Sequence, residues 1–212
     1  MGIITKIEAQ KRNKERVNIY IDEEYAFSLS AEIVYKQGLV AKMQVDSEAL
    51  GNLAEEEGFL KCKGSALRII ERTYKTEKEI RDKLLLKEFD INSIERTIEF
   101  LKEYNLLNDE DYVRMYVKDK MKNQGQNKIK YALIQKGISE ELIKKEVSKL
   151  NEDSQKEIAY DLAVKKYNLL TKREDDKYKL SQKIYRFLTA KGYDYAIVGE
   201  VVKKVVNSEE LY

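Results

Sequence analysis

The 212-residue chain has no histidine, proline or tryptophan, and a single cysteine. Without histidine, the commonest acid–base side chain near neutral pH is gone. One cysteine without histidine cannot close a common zinc site, and it cannot form an internal disulfide. Cys62, between Lys61 and Lys63, reads as a small apolar filler at a helix start rather than a reactive thiol. A lone free thiol also fits a reducing compartment. The nine glycines form neither a phosphate-cradling loop nor a nucleophile elbow. No apolar run approaches the ~20 residues of a membrane helix. Met1 to Lys6 lacks the basic-then-apolar build of a secretory signal, and Gly2 lacks the Ser or Thr that myristoylation wants. With 37% charged residues and a mean hydropathy of -0.62, a soluble, cytoplasmic protein is expected, with no membrane role.

The missing proline has a positive consequence. Ordinary usage would supply roughly ten, and without them a chain rich in Lys, Glu, Leu and Ile sustains long uninterrupted helices. Three stretches repeat one phrase: Ile80 to Phe89, Ile129 to Ile138 and Ile184 to Tyr193. Each carries a leucine four residues in (Leu84, Leu133, Leu188), then a lysine (Lys87, Lys136, Lys191), then an apolar residue (Phe89, Ile138, Tyr193). A capping residue follows at Asp90, Ser139 and Asp194, and then an apolar series at Ile94/Ile98/Leu101, Ile143/Val147/Leu150 and Val198/Val202/Val205. These are helical steps, and their recurrence at offsets of 49 and 55 residues indicates a duplicated supersecondary unit. Stacked units make a surface first. Core packing is the reading for these apolar positions, and no ligand is assigned to them.

Residues 1–60 read differently. Ile3 to Gln10 and Arg16 to Ile21 alternate apolar and polar residues, and Tyr25, Phe27 and Leu29 repeat that pattern after Asp22-Glu23-Glu24. Strand, turn and strand follow. Ser30 caps a short helix ending before Gly38, Ala41 to Val45 adds a strand, and a helix starts at Asp46 or Ser47 and runs through Leu50 and Leu53. The expected organisation is a small β-rich N-terminal domain over 1–60 and three-helix repeats over 61–108, 109–151 and 152–212.

In the first repeat the helices fall over Ser65 to Tyr74, Glu77 to Lys87 and Ile91 to Tyr104, with Thr76-Glu77-Lys78-Glu79 as a capping box. The second gives Glu110 to Lys122, Asn127 to Lys136 and Glu140 to Leu150, broken at Gly125 and Gly137. The third is longer by a polar interruption, Thr171 to Lys177, expected as an exposed loop. Gly137 and Gly192 suit left-handed helix ends, whereas Glu88 takes that place in the first repeat without glycine's freedom.

Charge is unevenly spread. Residues 1–60 carry a net charge of -4, 61–111 of -1, 112–150 of +6 and 151–212 of +1. Within the basic repeat, Arg114, Lys118, Lys120, Lys122, Lys128 and Lys130 gather along one helix and the start of the next. Such a cluster attracts phosphate or an acidic protein surface; a merely solvated face is the other reading. Asp109-Glu110-Asp111 stands where a helix should begin, so capping is preferred to cation binding. The fifteen tyrosines are scattered, most packing with their hydroxyls at the surface and some able to stack on bases.

At these residues the chain resembles the RecX regulatory proteins of bacteria, in the longer Firmicute form with an added N-terminal β-domain. The resemblance runs through Ile4-Thr5-Lys6-Ile7, Gln10-Lys11, Glu15 to Ile19 and Asp22 to Phe27. It continues through Arg72, Thr76 and Glu79, Leu107 to Tyr112, Lys136-Gly137-Ile138, then Lys183, Phe187-Leu188 and Lys191-Gly192-Tyr193. Single motifs here are weak; their order and spacing are specific. The resemblance implies a mainly α fold of three tandem three-helix repeats in an elongated, curved array. It also implies a partner, the RecA recombinase filament on single-stranded DNA. Such proteins lodge in the filament groove, bridge protomers, restrain ATP hydrolysis, strand exchange and co-protease activity, and favour disassembly.

The expected function is therefore a monomeric regulator of recombination and the SOS response that binds without chemistry. No catalytic residue, cofactor or metal is assigned, and the basic cluster is the expected contact with filament or DNA. The alternative is a helical module acting on naked nucleic acid, with three-helix units as helix-turn-helix readers. Against it stand a net charge of only +2 and the lack of a helix basic along one whole face.

Overall fold

In the computed structural model, residues 1–11 and 13–207 are described. The chain divides into two compact units. One comprises Met1–Thr73 and Ile80–Leu106, the other Tyr74–Glu79 and the chain from Leu107 onward.

The first unit opens with an antiparallel sheet in the order β3-β2-β1-β4, formed by β1 (Gly2–Ala9), β2 (Arg16–Ile21), β3 (Glu24–Ser30) and the two-residue β4 (Gln44–Val45). The expected strand at Ala41 to Val45 is thus limited to its last two residues. Register sets Ile4 opposite Ile21, and Val17 and Ile19 opposite Leu29 and Phe27. Period-two alternation therefore sends Ile4, Ile19 and Leu29 into one fully buried face. The hairpin turn is Asp22-Glu23, both at positive φ, the conformation that matches strand twist. Its non-glycine residues are held by the rest of the sheet: Ile3 N–H donates to Asp22 Oδ1 at 3.0 Å and Glu23 N–H to Thr5 Oγ1 at 3.0 Å.

Ser30 caps the short α1 (Ala31–Lys36), and Asp46 caps α2 (Ser47–Arg72). Two separate helices are expected from the sequence here, but α2 runs through without a break. Of its three glycines, Gly51 and Gly64 face open space and Gly58 serves packing. A Cβ at Gly58 would come within 2.8 Å of Ser93 Oγ, so Gly58 lets α4 (Ile91–Glu103) approach closely. Cys62 is fully buried in mid-helix rather than at a helix start, and burial pushes its thiol pKa up. Glu57 ties α2 to the sheet by accepting the Ser30 N–H at 3.0 Å. Between these helices, α3 (Glu77–Leu85) buries Ile80 and Leu84 completely, while Ile94, Ile98 and Leu101 of α4 are at most 2% exposed.

The second unit contains α5 (Asp109–Lys120), α6 (Gln126–Gln135) and α7 (Glu140–Val147), then α8 (Glu152–Leu170), α9 (Lys177–Ala190) and α10 (Tyr195–Asn207). Each trio closes on its own core. Val113, Ile129, Leu133, Ile143 and Val147 form one; Ala163, Leu180, Ile184, Leu188, Val198 and Val205 form the other. The caps stand where sequence places them. Asp90 accepts the Ser93 N–H at 2.8 Å, Ser139 the Leu142 N–H at 3.4 Å and Asp194 the Ala196 N–H at 2.9 Å. Gly137, Gly192 and Glu88 all adopt positive φ, at 80°, 87° and 62°.

Candidate functional site

The six basic residues of the second repeat do not act alike. Arg114 and Lys118, one helical turn apart on α5, are exposed, and Arg114 is engaged by Asp111. Among the described residues Lys118 and Lys122 form no ion pair of the kind Arg114 and Lys120 make, although Lys122 lies near enough to Asp119 to help lower its pKa, so most of their charge faces solvent or a ligand. Lys120 pairs with Asp119 at 2.9 Å and lies 5.7 Å from the Tyr116 ring; the hydrogen bond to Asp119 raises its pKa. Lys128 folds back to donate to the Ala190 carbonyl at 3.4 Å. Lys130 is half-buried at the mouth of a cavity with Gln126 and Gln155. Helix geometry therefore places Arg114 and Lys118 along one stripe of α5, with Lys122 in the turn just past its end, while Lys128 and Lys130 belong to a contact with the third repeat.

That contact occurs twice within the second unit, in the same frame. In the first joint, Thr76 Oγ1 donates to the Lys136 carbonyl at 2.7 Å, and Glu79 accepts from Lys136 Nζ at 2.7 Å. Thr76 and Glu79 also form the reciprocal capping box, at 3.2 and 3.3 Å. In the second joint the Gly125 N–H donates to the Lys191 carbonyl at 3.0 Å and the Asn127 N–H to the Gly192 carbonyl at 3.1 Å. Thr76 and Gly125 each lie four residues before the repeat isoleucine, and Lys136 and Lys191 each seven after it. In both, the N-terminus of one helix meets the C-terminal carbonyls of another, met by the Thr76 hydroxyl in the first joint and by backbone N–H groups in the second.

The lysine–glycine pairs thus have a second purpose. A Cβ on Gly137 would fall 2.4 Å from Lys78 Cδ, and one on Gly192 2.4 Å from Lys128 Cβ. Positive φ and close approach both require glycine there, whereas the exposed Glu88 meets only the first demand at its own cost. Recurrence of Lys-Gly in two of the three repeats was the available signal for this contact, but sequence reasoning took it as helix termination alone.

Electrostatics follow from the geometry. Burial alone would raise the Glu79 carboxyl; the hydrogen bonds from Lys136 and the Thr76 N–H outweigh it and hold the pKa below its ordinary value. Burial would lower Lys136, but Glu79 and the Tyr112 ring above which it lies, 5.5 Å away, hold it up. Tyr112 stacks on Tyr74 at 6.0 Å and on Tyr116 at 5.9 Å, so these rings serve packing. Asp109 also works as a cap, accepting the Glu77 N–H at 3.0 Å. Among the described residues, no group of three or more Cys, Asp or Glu is placed to hold a metal ion, and no helix is long and apolar enough to cross a membrane.

Comparison with known proteins gives this architecture a family. The regulatory protein RecX N-terminal domain matches residues 2–46, and the first, second and third three-helix domains of RecX match 62–101, 108–145 and 153–202. Regulatory protein RecX of Clostridium perfringens (strain 13 / Type A) is 54% identical over 209 residues, covering 99% of both chains. That of Clostridium beijerinckii is 54% identical over 206 residues, 97% of each. A crystal structure of regulatory protein RecX superposes with a TM-score of 0.66 at 27% identity, covering 95% of this chain and 98% of that one. RecX from Lactobacillus salivarius gives 0.64 at 26% identity, over 71% of this chain and 97% of that one. These relatives are named as regulatory proteins, not as enzymes, and the chain belongs to the RecX family.

Proposed function

We propose that the protein is a cytoplasmic regulator that binds the RecA filament on single-stranded DNA and restrains its ATPase, strand-exchange and co-protease activities without bond chemistry of its own. The observation that carries this reading is the match of all four RecX domains, in order. RecA itself enters through the family resemblance. The joint adds physical support: a helix-end contact repeated in frame makes a modular surface, suited to a partner that is itself a repeating polymer.

The basic residues of the second repeat are the proposed contact with filament or DNA. Lys118 and Lys122 lead it, since neither forms an ion pair among the described residues, with Arg114 and Lys120, which do, beside them. Lys128 and Lys130 contribute charge while bracing the joint. Charge reversal at Lys118 and Lys122 should weaken binding to RecA-coated DNA with the circular-dichroism spectrum unchanged. The decisive titration compares RecA-coated single strands with naked single- and double-stranded DNA. Preference for the coated strand supports the filament reading; tight, sequence-selective binding to naked duplex replaces it with the helix-turn-helix alternative.

A further inference from the structure

The two joints also differ beside the helix start that each one closes. In the first, Asp109 directly follows the Asn108 cap and receives the Glu77 N–H. Tyr112, three residues on, fills the space behind and stacks on Tyr74. In the second, Glu152 directly follows the Asn151 cap but pairs with Lys156 at 3.3 Å, and Gln155 stands at the place of Tyr112. The N-cap of α6 is Gly125, which has no side chain to cap with, and a cavity of about 250 Å³ lies between Gln126, Lys130, Gln155 and Tyr193.

The floor of this cavity is unfinished in hydrogen-bonding terms. Gln155 is 1% exposed and Tyr193 2%, yet neither carboxamide atom of Gln155 nor the Tyr193 hydroxyl has a hydrogen-bond partner among the described residues. Native interiors rarely leave such groups unmet. Burial pushes the Tyr193 pKa up to about 12, so its hydroxyl keeps a proton to donate. The mouth is made by half-buried Gln126 and Lys130, where the N-terminus of a ten-residue helix and an ammonium group meet. Two carboxylates reach the rim, and both are engaged: Glu152 by Lys156, and Asp194 by the Ala196 N–H at 2.9 Å.

We propose that this cavity binds one nucleotide unit, its base against Gln155 and Tyr193 and its phosphate at the mouth on Lys130 and the Gln126 N–H, the Asn127 N–H being held by the Gly192 carbonyl. A carboxamide offers a donor and an acceptor side by side, the pattern that base edges complement. Buried Ile197 supplies an apolar wall. A helix N-terminus with a neighbouring cation suits a phosphate. The volume lies below the about 300–1,000 Å³ of sites for drug-sized ligands, which limits the occupant to a single unit. The source is a free nucleotide or a nucleotide within a single strand. The second source deepens the regulatory reading above and rests on it.

The test titrates the full-length, nitrogen-15-labelled protein with deoxyadenosine monophosphate, deoxyadenosine and a short single-stranded oligonucleotide. Shifts of the Gln155 side-chain amide and the Gln126 backbone amide are followed. Saturable shifts at both are expected. Gln155→Leu should weaken the monophosphate by roughly tenfold or more, and Lys130→Met should weaken it while leaving deoxyadenosine unchanged. An oligonucleotide binding tighter than the monophosphate identifies the strand as source; equal affinity identifies the free nucleotide. Absence of a saturable shift at Gln155, or unchanged affinity in the Gln155→Leu variant, overturns the proposal. None of these titrations contains RecA, so failure here leaves the regulatory reading to its own assay.

Discussion

The first joint is sealed by side chains and the second by backbone. Thr76, Glu79 and Lys136 close the former with a hydroxyl, a capping box and an ion pair. The latter relies on two backbone hydrogen bonds and on glycine meeting glycine, with a Cβ at Gly125 only 2.3 Å from the Gly192 carbonyl oxygen. Where the first has Glu79 beside Lys136, the second has Lys128 and Lys191 in the same frame, two cations. A duplicated unit therefore preserves the geometry of its contacts while changing their chemistry. The second joint gives up acid–base pairing and gains positive charge and a cavity.

The largest expected effect tests the backbone seal. Gly192→Ala adds a methyl 2.5 Å from Lys128 N at a φ of 87°, and should cost about 3 kcal/mol or more through overpacking and left-handed strain. Urea denaturation measures it; a loss below about 1 kcal/mol would mean that the joint yields readily. Thr76→Val comes next. It removes the cap and the bond to the Lys136 carbonyl together, for about 1–2 kcal/mol by the same measurement.

Acid should separate the joints. The Glu79 pKa is depressed on folding, so its stabilisation is present above the ordinary glutamate value and is lost as pH falls through the lower folded value. The ion pair that produces it is partly exposed and amounts to about 1 kcal/mol or less. Glu79→Gln should flatten this part of the acid stability profile, whereas Lys128→Gln should not alter it. Equal acid sensitivity in both variants would erase the distinction. The smallest effect is Glu88→Gly. Relief of a positive φ of 62°, partly offset by glycine's unfolded-state entropy, should stabilise by about 0.5 kcal/mol in thermal unfolding.

Local rules carried far in this sequence. Ile80, Ile129 and Ile184, with Leu84, Leu133 and Leu188, are all fully buried, because a helical period fixes which side faces the core. Caps at Asp90, Ser139 and Asp194 and the box at Thr76 depend on neighbours within three residues, and so were legible. The exceptions depend on distant partners. Gly58 owes its place in α2 to Ser93 against it, a contact that local spacing does not show. Gly125 reads as a turn, and its contact with Gly192 spans 67 residues. Lys128 counts as surface charge until Ala190 is found beneath it. The candidate site was legible as a segment of positive charge, but the division of its six members between open stripe and joint was not. That division rests on tertiary contacts that no periodicity encodes.

The regulatory account is tested most directly by following the DNA-dependent ATPase of RecA on single-stranded DNA while this protein is added below one copy per RecA protomer. A graded fall in ATP hydrolysis is predicted, reduced when Lys118 and Lys122 are both replaced by Glu. A rate unchanged from zero to stoichiometric protein would contradict it.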